Sequence, residues 1–431
     1  MPQTEVKQSL DLSIELLEPQ TRLYGGSVIL GHVVRRSHIV APLVTIIVRL
    51  LGRAKAKVSY IDEGLYNYDR TRFNFWPESA ITNVIHEGPI HIAPGGNEHQ
   101  AWAFALTLPT HTDARYLDAS VGYNEKEACF LPPSGRLGPA GRIPEQPLPE
   151  SFYFVHHKSS YEWHGFVEYW IEAEMVLQGK GPVVKATLPV NVLSLPTPVP
   201  PINSFGLVRS EITGCVRTQR LLPGMEQEEL SFRQKTQKFF GSSKVPTFHY
   251  TLSVQYPTVI QMGSNSSIPF LLNINPNKEK TTGIIKDLPQ IVTLQNIQLE
   301  LRSTTSVFFT NTTNSYKRKK KQKMLLVRRS SLIPAHEDKM VLPSGGNEEP
   351  LDLGAVLDLR VDALGQVLHG TTKVWDCLGM KVSPTFLTYC VKVEHVLRWE
   401  MHLSVAREMW KCGGMEKVII LKPQHSVQDG Q

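Results

Sequence analysis

Histidine and cysteine are the side chains that most often bind metals or act as nucleophiles, and the adjacent His156 and His157, with Cys129, invite such a reading. The spacing does not support it. A structural zinc takes four ligands in closely spaced pairs, whereas the five cysteines, Cys129, Cys215, Cys377, Cys390 and Cys412, include no Cys-x-x-Cys. Gly-x-Ser-x-Gly, His-Glu-x-x-His, P-loop and dinucleotide fingerprints are missing as well. We therefore expect no enzyme, no metal site and no cofactor, and read His156-His157 as a polar loop ahead of a strand.

The sharpest local feature is a run of cations: Lys317, Arg318, Lys319, Lys320, Lys321 and Lys323. Tyr316 to Arg329 holds eight basic residues and no acid, so it accounts for the whole formal charge of +6, and the remainder of the chain is near neutral. Such local charge argues against a nucleic-acid partner, which usually meets a basic face spread over a fold. The run would be drawn to an anionic membrane leaflet at about 1 kcal/mol per charge. It also fits a nuclear import signal, and a solvated loop between strands is the plain alternative. Ser330 and Ser331, after Arg328-Arg329, form a candidate phosphorylation site whose added negative charge would weaken membrane docking.

What positions these residues is a chain of short strands. Leu10, Leu12, Ile14 and Leu16 alternate with Asp11, Ser13 and Glu15, the period of two that puts one face of a strand toward a core. Ser27 to Val34, Val44 to Leu51, Val84 to Ile92, Ala101 to Leu108 and Val167 to Leu177 continue the theme between Gly, Pro, Asn and Ser punctuation. Glu and Ala in Glu168 to Leu177 favour helix, but Tyr169, Trp170 and Ile171 turn that window to strand. Ser194 to Ser204 carries four prolines in eleven residues and reads as a linker. Strands resume at Phe248 to Tyr256, Ser267 to Ile274, Ile291 to Leu301, Ala355 to Val361 and Phe386 to Val405. The helix candidate is Gln227 to Gln237.

The length of 431 residues suits two cores. An odd number of scattered cysteines points to a reducing compartment. MPQTEVKQSLDLSIELLEP lacks a signal-type apolar stretch, and Ile39 to Leu51 is broken by Pro42 and Arg49, so neither secretion nor a membrane span is expected.

The order of segments resembles the fungal arrestin-like proteins over nearly the whole chain. Tyr24-Gly-Gly-Ser-Val-Ile-Leu-Gly-His-Val-Val is similar to that family's opening hairpin, and Val48-Arg-Leu-Leu-Gly-Arg-Ala to its strand ending in Gly-x-Ala. Trp102-Ala-Phe-Ala-Leu-Thr-Leu-Pro resembles its aromatic strand, and Leu148-Pro-Glu-Ser-Phe with Glu168-Tyr-Trp-Ile-Glu-Ala-Glu its following pair. Leu252-Ser-Val-Gln-Tyr-Pro, Gly263 and Ile268-Pro-Phe-Leu-Leu resemble the opening of its second domain, and Phe386-Leu-Thr-Tyr and His395-Val-Leu-Arg-Trp its closing strands. Trp102, Phe104, Trp170 and Trp399 are expected in the core between sheets.

The resemblance implies an all-β chain of two tandem arrestin-type, immunoglobulin-like β-sandwich domains. These are expected at 8–195 and 205–424, joined by the Pro-rich linker at 196–204, with a basic, disordered insertion near 303–347. It implies an adaptor that binds the cytosolic parts of membrane transporters or receptors, brings a ubiquitin ligase to them and promotes their endocytosis and sorting. Cytoplasmic residence with recruitment to the plasma membrane or endosomes follows. Many relatives recruit the ligase through Pro-Pro-x-Tyr, which docks as a polyproline helix. Pro132-Pro-Ser-Gly and Pro200-Pro-Ile-Asn both lack the tyrosine. The competing expectation is a β-sandwich interaction or signalling scaffold without ligase recruitment, nuclear if the basic run is an import signal. A sugar-binding sandwich is a third, which requires exposed aromatic residues.

Overall fold

The structure, a computed structural model, describes residues 4–17, 23–62, 65–95, 99–131, 142–158, 161–178, 183–193, 206–311, 315–328, 340–344, 348–374 and 380–422. Strand accounts for 58% of the chain and helix for 9%, in several sheets, so the fold is of the all-β sandwich class. The chain forms two compact units. The first comprises Met1–Thr197 together with Thr305–Lys320 and Phe386–Lys392, and the second the remaining segments. The Pro-rich linker at 196–204 lies outside the described residues.

The first unit is built from β1 (Ser13–Leu16), β2 (Val28–Arg35), β3 (Ile39–Asp62), β4 (Leu65–Asn74), β5 (Thr82–Ile92), β6 (Gln100–Thr107), β7 (Phe152–Lys158), β8 (Tyr161–Leu177) and β9 (Val184–Val190). Between β6 and β7 lie the short helices α1 (Ala114–Ser120) and α2 (Tyr123–Ala128). One sheet runs β1-β2-β6; the other runs β4-β3-β8-β7, with β5 also paired to β3 and β9 to β8. β3 is 24 residues long, with β-branched residues densest from Val44 to Val48, and its pairing with β5 shifts register between Ala41 and Val44, beside Pro42, which has no N–H to give. Glu168 to Leu177 is strand throughout.

Two segments from late in the sequence complete this core. Phe308 meets Phe73 and Phe130 edge-on, at centroid distances of 6.0 and 5.5 Å. Tyr389 stacks on Phe73 at 5.1 Å, and its hydroxyl lies 2.6 Å from Thr112 Oγ1 while donating to the carbonyl of Pro144. No local pattern announces such contacts, since the partners lie more than 170 residues apart.

The rest of the chain carries β10 (Leu207–Arg217), α3 (Phe232–Phe239), β11 (Thr247–Pro257), β12 (Val259–Gln261), β13 (Leu271–Pro276), β14 (Val292–Thr310), β15 (Ser315–Arg328), β16 (Met340–Val341), β17 (Leu351–Asp352), α4 (Leu353–Leu357), β18 (Leu359–Val361), β19 (Val367–His369), β20 (Thr372–Lys373), β21 (Phe386–Leu387), β22 (Val391–Val405) and β23 (Glu408–Leu421). The ends of β14, β15 and β22 nearest their turns, and all of β21, are the late segments counted in the first unit. The sheets run β10-β11-β13-β17, β18-β19-β20 and β12-β23-β22-β14-β15, the last with β16 on β14 and β21 on β22. β22 alternates buried and half-buried residues over its whole length, the period of two in its simplest form.

The disordered insertion expected at 303–347 is corrected at 303–310 and 315–328, which are strand; 312–314, 329–339 and 345–347 lie outside the described residues. Ser303 to Thr310 ends β14, where Val307, Phe308 and Phe309 are fully buried, and 315–328 is β15. The lysines conceal a strand: Met324, Leu326 and Val327 supply its buried residues, and β15 ends the order of its sheet, where lysines are common because they discourage further strand pairing.

Five glycines stand directly opposite an aromatic residue on the paired strand, Gly165 with Phe154 and, with the ring close against the glycine, Gly31 with Phe104, Gly52 with Tyr169, Gly214 with Tyr250 and Gly414 with Trp399. At Gly52 a Cβ would come within 2.6 Å of the Tyr169 ring and 2.9 Å of Trp76. Tyr169 is fixed in turn by donating its hydroxyl hydrogen to the Pro149 carbonyl. Trp399 and Phe104 are core, as their sequence context suggests. Trp170 is not: the alternation that buries Tyr169 and Ile171 turns it to the polar face, where the Arg53 guanidinium lies 4.7 Å from its ring centroid. Trp102 is likewise half-exposed, near the His86 ring.

Gly52→Val is expected to lower unfolding stability by about 1–3 kcal/mol through overpacking against Tyr169 and Trp76. Chemical denaturation checks this, and an unchanged midpoint would contradict the packing described.

Candidate interaction surfaces

β15 places the six cations of the basic run at strand spacing. Lys317, Lys319, Lys321 and Lys323 fall on one side and Arg318 and Lys320 on the other. Arg318 lies over the rings of Tyr161 (5.1 Å) and Tyr316 (5.7 Å), Lys320 over Phe154 (5.3 Å) and Lys317 over Phe130 (5.3 Å). Tyr316 donates its hydroxyl hydrogen to Asp69. Burial, with that carboxylate beside it, pushes the Tyr316 phenol well above its ordinary range.

The run therefore divides in two. Lys317, Arg318 and Lys320 hold the strand against aromatic rings, contacts worth about 0.5–1 kcal/mol each at exposed sites. Lys319, Lys321 and Lys323 are exposed, and among the described residues no carboxylate pairs with any of the six. Ser330 and Ser331 lie outside the described residues.

A second cationic cluster is assembled only by pairing. Arg53, Lys55 and Lys57 alternate along β3, and the register sets Lys55 beside Arg72 and Lys57 beside Arg70 of β4. On the other flank, β8 sets Glu168 beside Arg53 and Phe166 beside Lys55. The Arg53 guanidinium meets the buried Glu168 carboxylate at 2.5 Å, and the same carboxylate accepts the Thr4 N–H at 3.0 Å. Lys55 Nζ lies over the Phe166 ring and Lys57 Nζ over Tyr68.

Burial, reinforced by Arg53, Arg72 and Arg70, lowers the Lys55 amine to about 8, although Glu168 opposes the shift. Burial also lowers Arg72, with Arg53 and Arg70 adding to the effect. A face with this excess of cations over carboxylates attracts anions. Its signal in sequence was the alternation at positions 53, 55 and 57 and again at 70 and 72, too short in each strand to register as a charge run.

His156 and His157 lie within β7, which corrects the loop expected there: His156 packs against Trp163 and His157 pairs with Glu162 at 3.4 Å. His156 is lowered by burial and by Lys320 nearby. Burial pushes the Cys129 thiol up to about 11, away from a nucleophile's range. Among the described residues no three His, Cys, Asp or Glu side chains gather to hold a metal, and no helix is long and apolar enough to cross a membrane.

Neither a scan against protein-family models nor a search of curated proteins finds a match for the chain.

The Lys55 shift has a definite sign. Its value in the folded chain lies below the ordinary 10.5, so the folded state gains stability as pH rises from about 8 toward 10.5, where only the unfolded chain still holds the proton. Lys55→Met removes that gain. The melting midpoint of the variant minus that of the parent is expected to fall between pH 7 and pH 10; a pH-independent difference would contradict the placement of Lys55.

Proposed function

We propose that this chain is a non-catalytic, arrestin-type adaptor, which binds the cytosolic parts of membrane transporters or receptors through charged strand surfaces and promotes their ubiquitin-dependent endocytosis and sorting. The observation that carries the reading is where the arrestin-like signatures fall. Gly31 of the opening hairpin lies opposite Phe104 of the aromatic strand, and Gly52 and Ala54 of the Gly-x-Ala strand lie opposite Tyr169 and Val167. Segments similar to that family in sequence order are thus neighbours in the sheets, each of these glycines making room for the ring of a later motif. The unpaired lysines of β15 and the cationic face of β3 and β4 supply what an adaptor needs, namely surfaces for acidic or anionic partners.

In this reading Lys319, Lys321 and Lys323 face an anionic membrane surface. Changing the three to Gln is expected to weaken co-sedimentation with phosphatidylserine-containing vesicles by an order of magnitude or more while leaving the melting midpoint within about 1 °C, since each charge contributes about 1 kcal/mol. Arg318→Gln with Lys320→Gln is expected to lower the midpoint instead, because those cations lie on rings. Vesicle binding untouched by the triple change would remove the membrane role from β15.

A second reading, a scaffold that recruits no ligase, is favoured by the missing Pro-Pro-x-Tyr. Affinity purification from native cells separates the two: transporters together with a ubiquitin ligase support the adaptor, and nuclear or signalling partners alone support the scaffold.

A further inference from the structure

The helix α3 is amphipathic the wrong way round for a helix that packs on its own protein. Phe232 and Phe239 lie two turns apart on one face with Phe240 beside them, and the three are 87%, 83% and 78% exposed. The helix buries no residue. Its better-covered side chains are the polar ones, Gln234, Thr236, Gln237 and Lys238.

This orientation is held in place. Ser231 and Gln234 form a reciprocal capping box, with Gln234 Oε1 accepting the Ser231 N–H at 2.8 Å. Lys238 Nζ bonds the Glu408 carboxylate of β23 at 2.6 Å, which ties the polar side of the helix to the body of the second unit. Phe239 and Phe240 pack edge-to-face at 5.3 Å, presenting one apolar wedge.

Charge around the wedge selects its occupant. From Leu230 to Phe248 the chain carries Arg233, Lys235, Lys238 and Lys244 and no acid. With Lys238 engaged by Glu408, the exposed Arg233, Lys235 and Lys244 remain beside the phenylalanines. Phenylalanines that enter the acyl boundary while flanking cations reach lipid headgroups are the arrangement of a helix lying in an anionic membrane surface. A protein groove would gain as much from the rings, but nothing in it would call for the flanking cations; the nearest acids in sequence, Glu226, Glu228 and Glu229, precede the helix and are not on it.

We infer that α3 is a membrane-docking element, inserting Phe232, Phe239 and Phe240 into the surface of an anionic bilayer with Arg233, Lys235 and Lys244 at the headgroups. The attachment is partly apolar, which distinguishes it from the purely electrostatic attraction of the β15 lysines. High salt separates them, because at ~1 M the screening length falls to ~3 Å.

The test is co-sedimentation of the full chain with vesicles of phosphatidylcholine and phosphatidylserine, at low salt and at ~1 M salt. The parent is expected to keep a salt-resistant fraction of its binding. Phe232→Ser/Phe239→Ser/Phe240→Ser is expected to lose that fraction, with binding at least roughly tenfold weaker at high salt. The chain with Lys319, Lys321 and Lys323 changed to Gln keeps it. Because the three rings bury nothing, the melting midpoint of the serine variant should match that of the parent. Equal vesicle binding by the serine variant and the parent overturns the proposal. So does a change in sedimentation velocity of the serine variant without vesicles, which would assign the wedge to contact with a second copy of the chain.

Discussion

In both units a glycine faces an aromatic ring across paired strands, and these contacts set how closely the strands and the layer above them approach. An aromatic side chain that lies down over the neighbouring strand needs a position without a Cβ, and Gly52 gives one to Tyr169 just as Gly414 gives one to Trp399. The ring then covers backbone that would otherwise lack packing, an arrangement known to rescue glycine in sheets. Phe75 and Trp76 pack around Tyr169 on the first side, with Tyr389 against Phe75, and Phe270 meets Trp399 on the second. Each core is therefore organised around a ring whose position a glycine fixes.

Burying one face of long strands in the apolar core leaves the charges to the other, where on β3 and β4 Arg70 and Arg72 are exposed while Lys55 and Glu168 are themselves covered. On β3 the residues alternating with Ala54, Ala56 and Val58 are Arg53, Lys55 and Lys57, so the cationic cluster is a direct consequence of strand parity once β4 brings Arg70 and Arg72 alongside. The closeness of like charges has a consequence at Lys55, whose ammonium is disfavoured there. β15 solves its charge differently, laying Arg318 and Lys320 on rings and leaving Lys319, Lys321 and Lys323 in water. Helix α3 carries the same chemistry into a third form, with cations around exposed phenylalanines.

Alternation made most of the strands legible from residues alone, because a period of two survives wherever one face is buried: Leu12 and Ile14, or Val391 through Val405. The strand reading of Glu168 to Leu177 held because Tyr169, Ile171, Ala173 and Met175 all face the core. Charge obscured β15, where lysines occupy both faces until Met324, and so suggested a loop. Trp170 was misread because aromatic size was weighed above its position between Tyr169 and Ile171. The cluster around Lys55 was hidden for a different reason: it depends on register between strands. The helix at 232–239 fell at the edge of the window its sequence suggested, with Ser231 and Gln234 marking its start.

An adaptor reading makes a demand on the cell surface that no structural scaffold shares. The most direct measurement is surface biotinylation with quantitative mass spectrometry, comparing cells that lack the chain with cells in which it is restored. The account predicts that a discrete set of transporters or receptors accumulates at the plasma membrane without the chain and is cleared when it returns. A surface proteome identical in both would contradict it.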